Sequence, residues 1–160
     1  MTDITDKIMA NLDKRLKTPE EVKDPDFVII CDGGSLNNQA DKIGYGSYII
    51  GIPKRNFQSA IKRMEYGPGV SNQEAEYMIA IDALGVLEDI ISAEGGRCKD
   101  YTVEIRTDSQ LVIGHMSKGW KLNASNLRTW YHELKGKLDE YKGFLFTKVP
   151  EQQMKQIVGH

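Results

Sequence analysis

The chain has 160 residues, 40% of them hydrophobic and 28% charged, a balance that suits one globular domain and excludes a disordered chain. Lys and Arg number 21 against 23 Asp and Glu, so the formal net charge of −2 offers no overall basic footprint for a nucleic-acid partner. No apolar run approaches the roughly 18 residues of a membrane span, the N-terminus lacks the layout of a signal peptide, and Cys31 and Cys98 fit neither a disulfide framework nor a zinc site, so a soluble protein of the reducing cytoplasm is expected.

Residues 3–17 predict an amphipathic helix, because Ile4, Ile8, Leu12 and Leu16 recur every four positions. Thr18-Pro19-Glu20-Glu21 can start another turn, which Asp24-Pro25 ends; residues 1–25 read as a helical extension ahead of the core. The core opens with Phe27-Val28-Ile29-Ile30-Cys31, a run apolar enough for a strand buried on both faces, and Asp32-Gly33-Gly34-Ser35 reads as the turn that stops it. Residues 43–52 and 57–66 alternate as two further strands of an antiparallel meander. The period then changes. Residues 72–93 predict a helix apolar over most of its girth, hence buried, with Ser71 as its cap and Gly95-Gly96 beyond its end. A strand over 101–107 stops at Asp108, helices follow near 109–117 and 123–140 (capped by Asn123 or Ser125), then a strand over 144–149 and a helical turn or two over 151–158.

An acid that closes a strand stands at the carboxyl edge of the sheet, where open α/β sheets bind ligands. Asp32 and Asp108 are two such acids, and Glu76 sits near the start of the buried helix. If the two strands are neighbours, their carboxylates lie side by side, an arrangement that needs a cation or a proton. Hard oxygen donors without His or Cys favour Mg²⁺ or Mn²⁺. Each acid alone is an ordinary turn or cap residue; their combination with the surrounding words is what points to chemistry.

Those words are Asp32-Gly33-Gly34-Ser35, Ser71-Asn72-Gln73-Glu74-Ala75-Glu76 and Thr107-Asp108-Ser109-Gln110. With them, roughly residues 26–150 resemble ribonuclease H of type 1, which cleaves the RNA strand of RNA–DNA hybrids. The resemblance implies an α/β domain over 26–160, with a five-stranded mixed sheet of order 3-2-1-4-5 flanked by helices. It also implies two divalent ions, Mg²⁺ or Mn²⁺, on Asp32, Glu76 and Asp108, and products ending in 5′ phosphate and 3′ hydroxyl. The family pattern selects Glu76 over its competitor Glu74, which stands where the family often has a basic residue. By the same matching, Gly33, Gly34, Ser35, Asn38, Asn72, Gln73 and Gln110 contact the hybrid, with amides able both to donate and to accept at a 2′-hydroxyl. Ser71 matches a hydroxyl that holds a DNA phosphate, and Gly119-Trp120-Lys121 matches a word beside the DNA strand. The family's fourth carboxylate, an Asp in a C-terminal helix, has no Asp counterpart after Val149-Pro150. His160, or its terminal carboxylate, is expected in that place as a metal ligand.

Residues 118–148 hold seven basic residues against three acidic ones, so a basic flank lies beside the expected acidic site despite the near-neutral total. The resulting expectation is a monomeric, hybrid-specific endoribonuclease without a membrane partner. The competing readings are a nuclease of the same fold acting on DNA and a hybrid-binding module weakened by the missing Asp.

Overall fold

The computed structural model describes residues 22–37 and 42–159. The predicted helix over 3–17, most of the extension over 1–25, Asn38 and His160 lie outside these residues.

Strand β1 (Phe27–Asn37) is the centre of the sheet. It pairs antiparallel with β2 (Lys42–Ile52) and parallel with β5 (Thr102–Thr107), which pairs parallel with β6 (Gly143–Lys148). The far edge of β2 carries two short strands, β3 (Phe57–Gln58) and β4 (Lys62–Pro68). The order is β3-β2-β1-β5-β6, with β4 also on β2. This is the expected 3-2-1-4-5 order, with the third strand divided. The division falls at Ser59, whose Oγ accepts from the Ile50 backbone N–H at 2.9 Å in place of a ladder carbonyl.

A second departure matters more. β1 does not stop at Cys31 but runs through Asp32-Gly33-Gly34-Ser35, with Asp32 opposite Ser47 and Gly33 opposite Gly46 on β2. The glycines are there for close approach rather than for a turn. A Cβ on Gly33 would overlap the Ala75 carbonyl and lie 2.7 Å from Glu76 N.

That contact comes from helix α1 (Asn72–Ala93). Ser71 caps it as expected, accepting from Glu74 N–H while the Glu74 side chain accepts from Ser71 N–H, a reciprocal capping box. Ala75, Tyr77, Ile79, Ala80, Ala83, Leu84 and Leu87 are buried along it. They pack with Ile29, Tyr48, Ile50 and Ile105 of the sheet and with Leu134 and Leu138 of helix α3 (Ser125–Asp139). Ala124 precedes α3 without a side-chain cap, so neither Asn123 nor Ser125 caps it. Helix α2 (Gln110–Ser117) follows β5 directly, and α4 (Glu151–Val158) follows β6 through Val149-Pro150. Tyr48 and Ile50 face the α1 side while Ile49 packs with Val149, Met154 and Val158, so α4 covers the opposite face of the sheet. Among the described residues no helix is long and apolar enough to cross a membrane.

Candidate active site

The parallel pairing of β1 and β5 ends at Ile30 opposite Arg106. Two residues further on each chain stand Asp32 and Asp108, so two neighbouring strands deliver two carboxylates at one level. The charge of Asp108 acts directly on the Asp32 carboxyl beside it. β1 continues outward with β2 while β5 gives way to α2, and the space over Asp108 opens as a cleft.

Glu76 enters from α1. Its Oε2 accepts from Ser109 Oγ at 2.7 Å and its Oε1 from Asn72 Nδ2 at 3.2 Å. Ser109 is itself fixed: its Oγ accepts from Val112 N–H at 3.2 Å as the cap of α2, and its N–H donates to Thr107 Oγ1. The cleft, about 470 Å³, is lined by Asn72, Gln73, Glu76, Asp108, Ser109, Gln110, Lys148 and Glu151.

Electrostatics mark the same place. Burial, then the charge of Asp108 and the hydrogen bond to it, then Glu76 and Glu151, push the Asp32 carboxyl up to about 7. Burial also raises Glu76 to about 7, against the lowering bond from Ser109, and Asp108 adds to the rise. The Cys31 thiol behind them is buried and pushed far up by burial and by the same three acids, so it is inert. Half-buried carboxylates at unfavourably close range, with oxygen donors throughout, suit a hard divalent cation. Among the described residues no three His, Cys, Asp or Glu side chains already close around one ion position; Glu76 is turned to its neutral donors.

The expected site residues divide into groups. Asp32, Glu76, Asp108, Asn72, Gln73 and Gln110 come together, and Gly33 seats α1 on β1 beside them. Gly34 lies under Tyr45 and Asn72, without room for a side chain. Ser35 Oγ is shielded and has no hydrogen-bond partner among the described residues. Ser71 is the cap of α1, directly before Asn72 of the cleft wall. Trp120 is apart from the acids: its ring lies on Gly114 and under Lys118 Nζ, with 46% of the residue exposed. Lys121 lines a second cleft of about 350 Å³ with Gln73, Leu111, His115, Asn123 and Asn126. Gln73 and Leu111 line both clefts, so the two form one trough. His115 is buried in a 2.6 Å hydrogen bond between its Nδ1 and the Tyr77 hydroxyl, a core placement.

Sequence reasoning missed Glu151, the first residue of α4, which lines the cleft and adds to the field on Asp32. Its local signal, an acid after a Pro in the first turn of a short helix, is one that any helix-starting acid gives. Of the two neighbouring acids, Glu76 lines the cleft. Glu74 points away, to Ser71 N–H and the Trp130 indole.

A mixed sheet that gathers acids where its parallel strands end, under the first turns of its helices, defines an acid-centred α/β site. The family model described as RNase H matches residues 24–160, and the chain belongs to that family. The fold is also that of RNase H1 from the halophilic archaeon Halobacterium salinarum NRC-1, with 22% identity, a TM-score of 0.64, and 81% of this chain and 89% of that one covered. The N-terminal RNase H domain of rv2228c from Mycobacterium tuberculosis is similar at 21% identity and a TM-score of 0.64, covering 81% and 90% of the two chains. LC11-RNase H1, solved in complex with an RNA/DNA hybrid, is similar at 21% identity and a TM-score of 0.66, covering 81% and 89%. No curated protein sequence matches the chain.

Proposed function

We propose that this chain hydrolyses the RNA strand of RNA–DNA hybrids with two divalent ions, Mg²⁺ or Mn²⁺, leaving 5′ phosphate and 3′ hydroxyl ends. The observation that carries the reading is that Asp108 and Glu76 line the cleft with Asp32 in their field beside it, in a chain of the RNase H family. Asp32, Glu76 and Asp108 would hold the ions, with Glu151 as the fourth carboxylate in the place first given to His160. When bound, such ions supply an activated water and a clamp on the oxygens of an in-line phosphoryl displacement.

The chain's own residues do the rest. Asp32 stands in β1 and Asp108 directly after its parallel neighbour β5, so the paired strands set their spacing before anything binds. Ser109 and Asn72 hold the Glu76 carboxylate toward the cleft until it takes up its load. Asn72, Gln73 and Gln110 place amides along the same wall, where a 2′-hydroxyl can both donate and accept. Lys148 adds a cation beside the phosphate path.

The test is incubation with an RNA–DNA hybrid, double-stranded RNA and double-stranded DNA, each with Mg²⁺ or Mn²⁺. Cleavage of the hybrid alone, lost in Asp32→Asn, is the expected result. Cleavage of DNA would instead support a DNA-acting nuclease, and hybrid binding without cleavage in either metal a binding module.

A further inference from the structure

Glu74 holds an unusual position. Its carboxylate accepts from Ser71 N–H at 3.3 Å, from Trp130 Nε1–H at 3.2 Å and from the Asn126 side chain. All three donors are neutral, and no salt bridge among the described residues involves Glu74. The charge is therefore held in place and left uncancelled. Its location gives this a consequence. Glu74 follows Gln73, which lines both clefts, and it interacts with the side chain of Asn126, which lines the second cleft together with Lys121. A nucleic-acid strand engaged at the acids and continuing along the trough must pass this wall.

We propose that Glu74 tunes substrate affinity: it is a fixed negative charge that lowers the affinity of the second cleft for a nucleic-acid backbone and offsets the attraction of Lys121. This rests on the reading of the trough as the path of a hybrid. A unit charge about 8 Å from a phosphate in water-like surroundings changes affinity roughly two- to threefold, and ordinary salt screens it over about 10 Å. The charge thus tunes hold and release of the strand without touching the metal-binding acids.

The experiment compares hybrid binding by fluorescence anisotropy across roughly 0.05–0.3 M salt, in the Asp32→Asn background so that the hybrid stays intact. Glu74→Gln keeps the shape and an accepting oxygen while removing the charge. It should bind about two- to threefold more tightly at the low-salt end, with the advantage fading toward the high-salt end. Trp130→Phe cuts one tie to Glu74 and leaves the charge, and it should bind no more tightly than its parent. Equal affinity of the Glu74→Gln protein and its parent, weaker binding at every salt, or equal tightening by both variants would overturn the proposal in favour of a tether between α1 and α3. Absence of hybrid binding by the parent would overturn the reading of function beneath it, and the proposal with it.

Discussion

Replacing Asp32 by Asn should stabilise the metal-free chain, and by an amount that depends on pH. In the fold the Asp32 carboxyl is half-buried against Asp108 and rises to about 7, from an ordinary value of about 3.9. A folded value above the unfolded one means the native state grips the proton more tightly. The stability this brings is complete below about pH 4 and is lost as pH climbs through about 7. Asn keeps the neutral shape, can donate to Asp108, and does not titrate. Its advantage over Asp should grow from about pH 4 to about pH 7 and then level. Three units correspond to about 4 kcal/mol at full strength; partial exposure and coupling to the neighbouring acids reduce this to on the order of 1–2 kcal/mol. For a chain of this length that is roughly 3–6 °C in Tm near pH 8, and less than half as much near pH 5. Differential scanning calorimetry in chelator at the two pH values reads it directly. A gain equal at both values, or a loss near pH 8, would refute the reasoning.

Other variants probe the supports of the site. Glu151→Gln should leave Tm within about 1 °C, because its side chain is exposed at the start of α4, while raising the metal concentration for half-maximal cleavage about tenfold or more in a metal titration. Gly33→Ala forces a methyl group into the Ala75 carbonyl; about 1–3 kcal/mol of stability should be lost in a urea melt, with activity falling as α1 moves off β1. Ser109→Ala removes the cap of α2, costing about 0.5–2 kcal/mol. It also removes the bond that lowers Glu76, so the acid limb of the pH–rate profile should move to higher pH.

Much of this was legible in the sequence for identifiable reasons. The buried helix over 72–93 is framed by a strong cap and a double glycine, and its apolar girth can be satisfied only in the core. Asp32 follows an apolar run and Asp108 an alternating one, both legible as strands, so their arrival at one sheet edge needs only parallel neighbours. What could not be read locally depends on pairing. Gly33-Gly34 looks like a turn until β2 supplies Gly46 and Tyr45 opposite and α1 supplies the Ala75 carbonyl above. The split of the third strand turns on one serine side chain replacing a ladder bond. Glu151 resembles any helix-starting acid until α4 is laid across the back of the sheet.

Only Val149 and Pro150 join β6 to α4, and that joint acts as a length standard. Val149 is plugged into the cluster under α4, its N–H donates to Thr107 O at 2.9 Å, and Pro150 has a ring-locked φ of −58°. A joint with no slack places Glu151 by chain length alone. Substitutions of Pro150 that keep an extended backbone should therefore be tolerated, whereas inserting one residue would rotate α4 by about 100° relative to its apolar seat and carry the carboxylate away from the cleft.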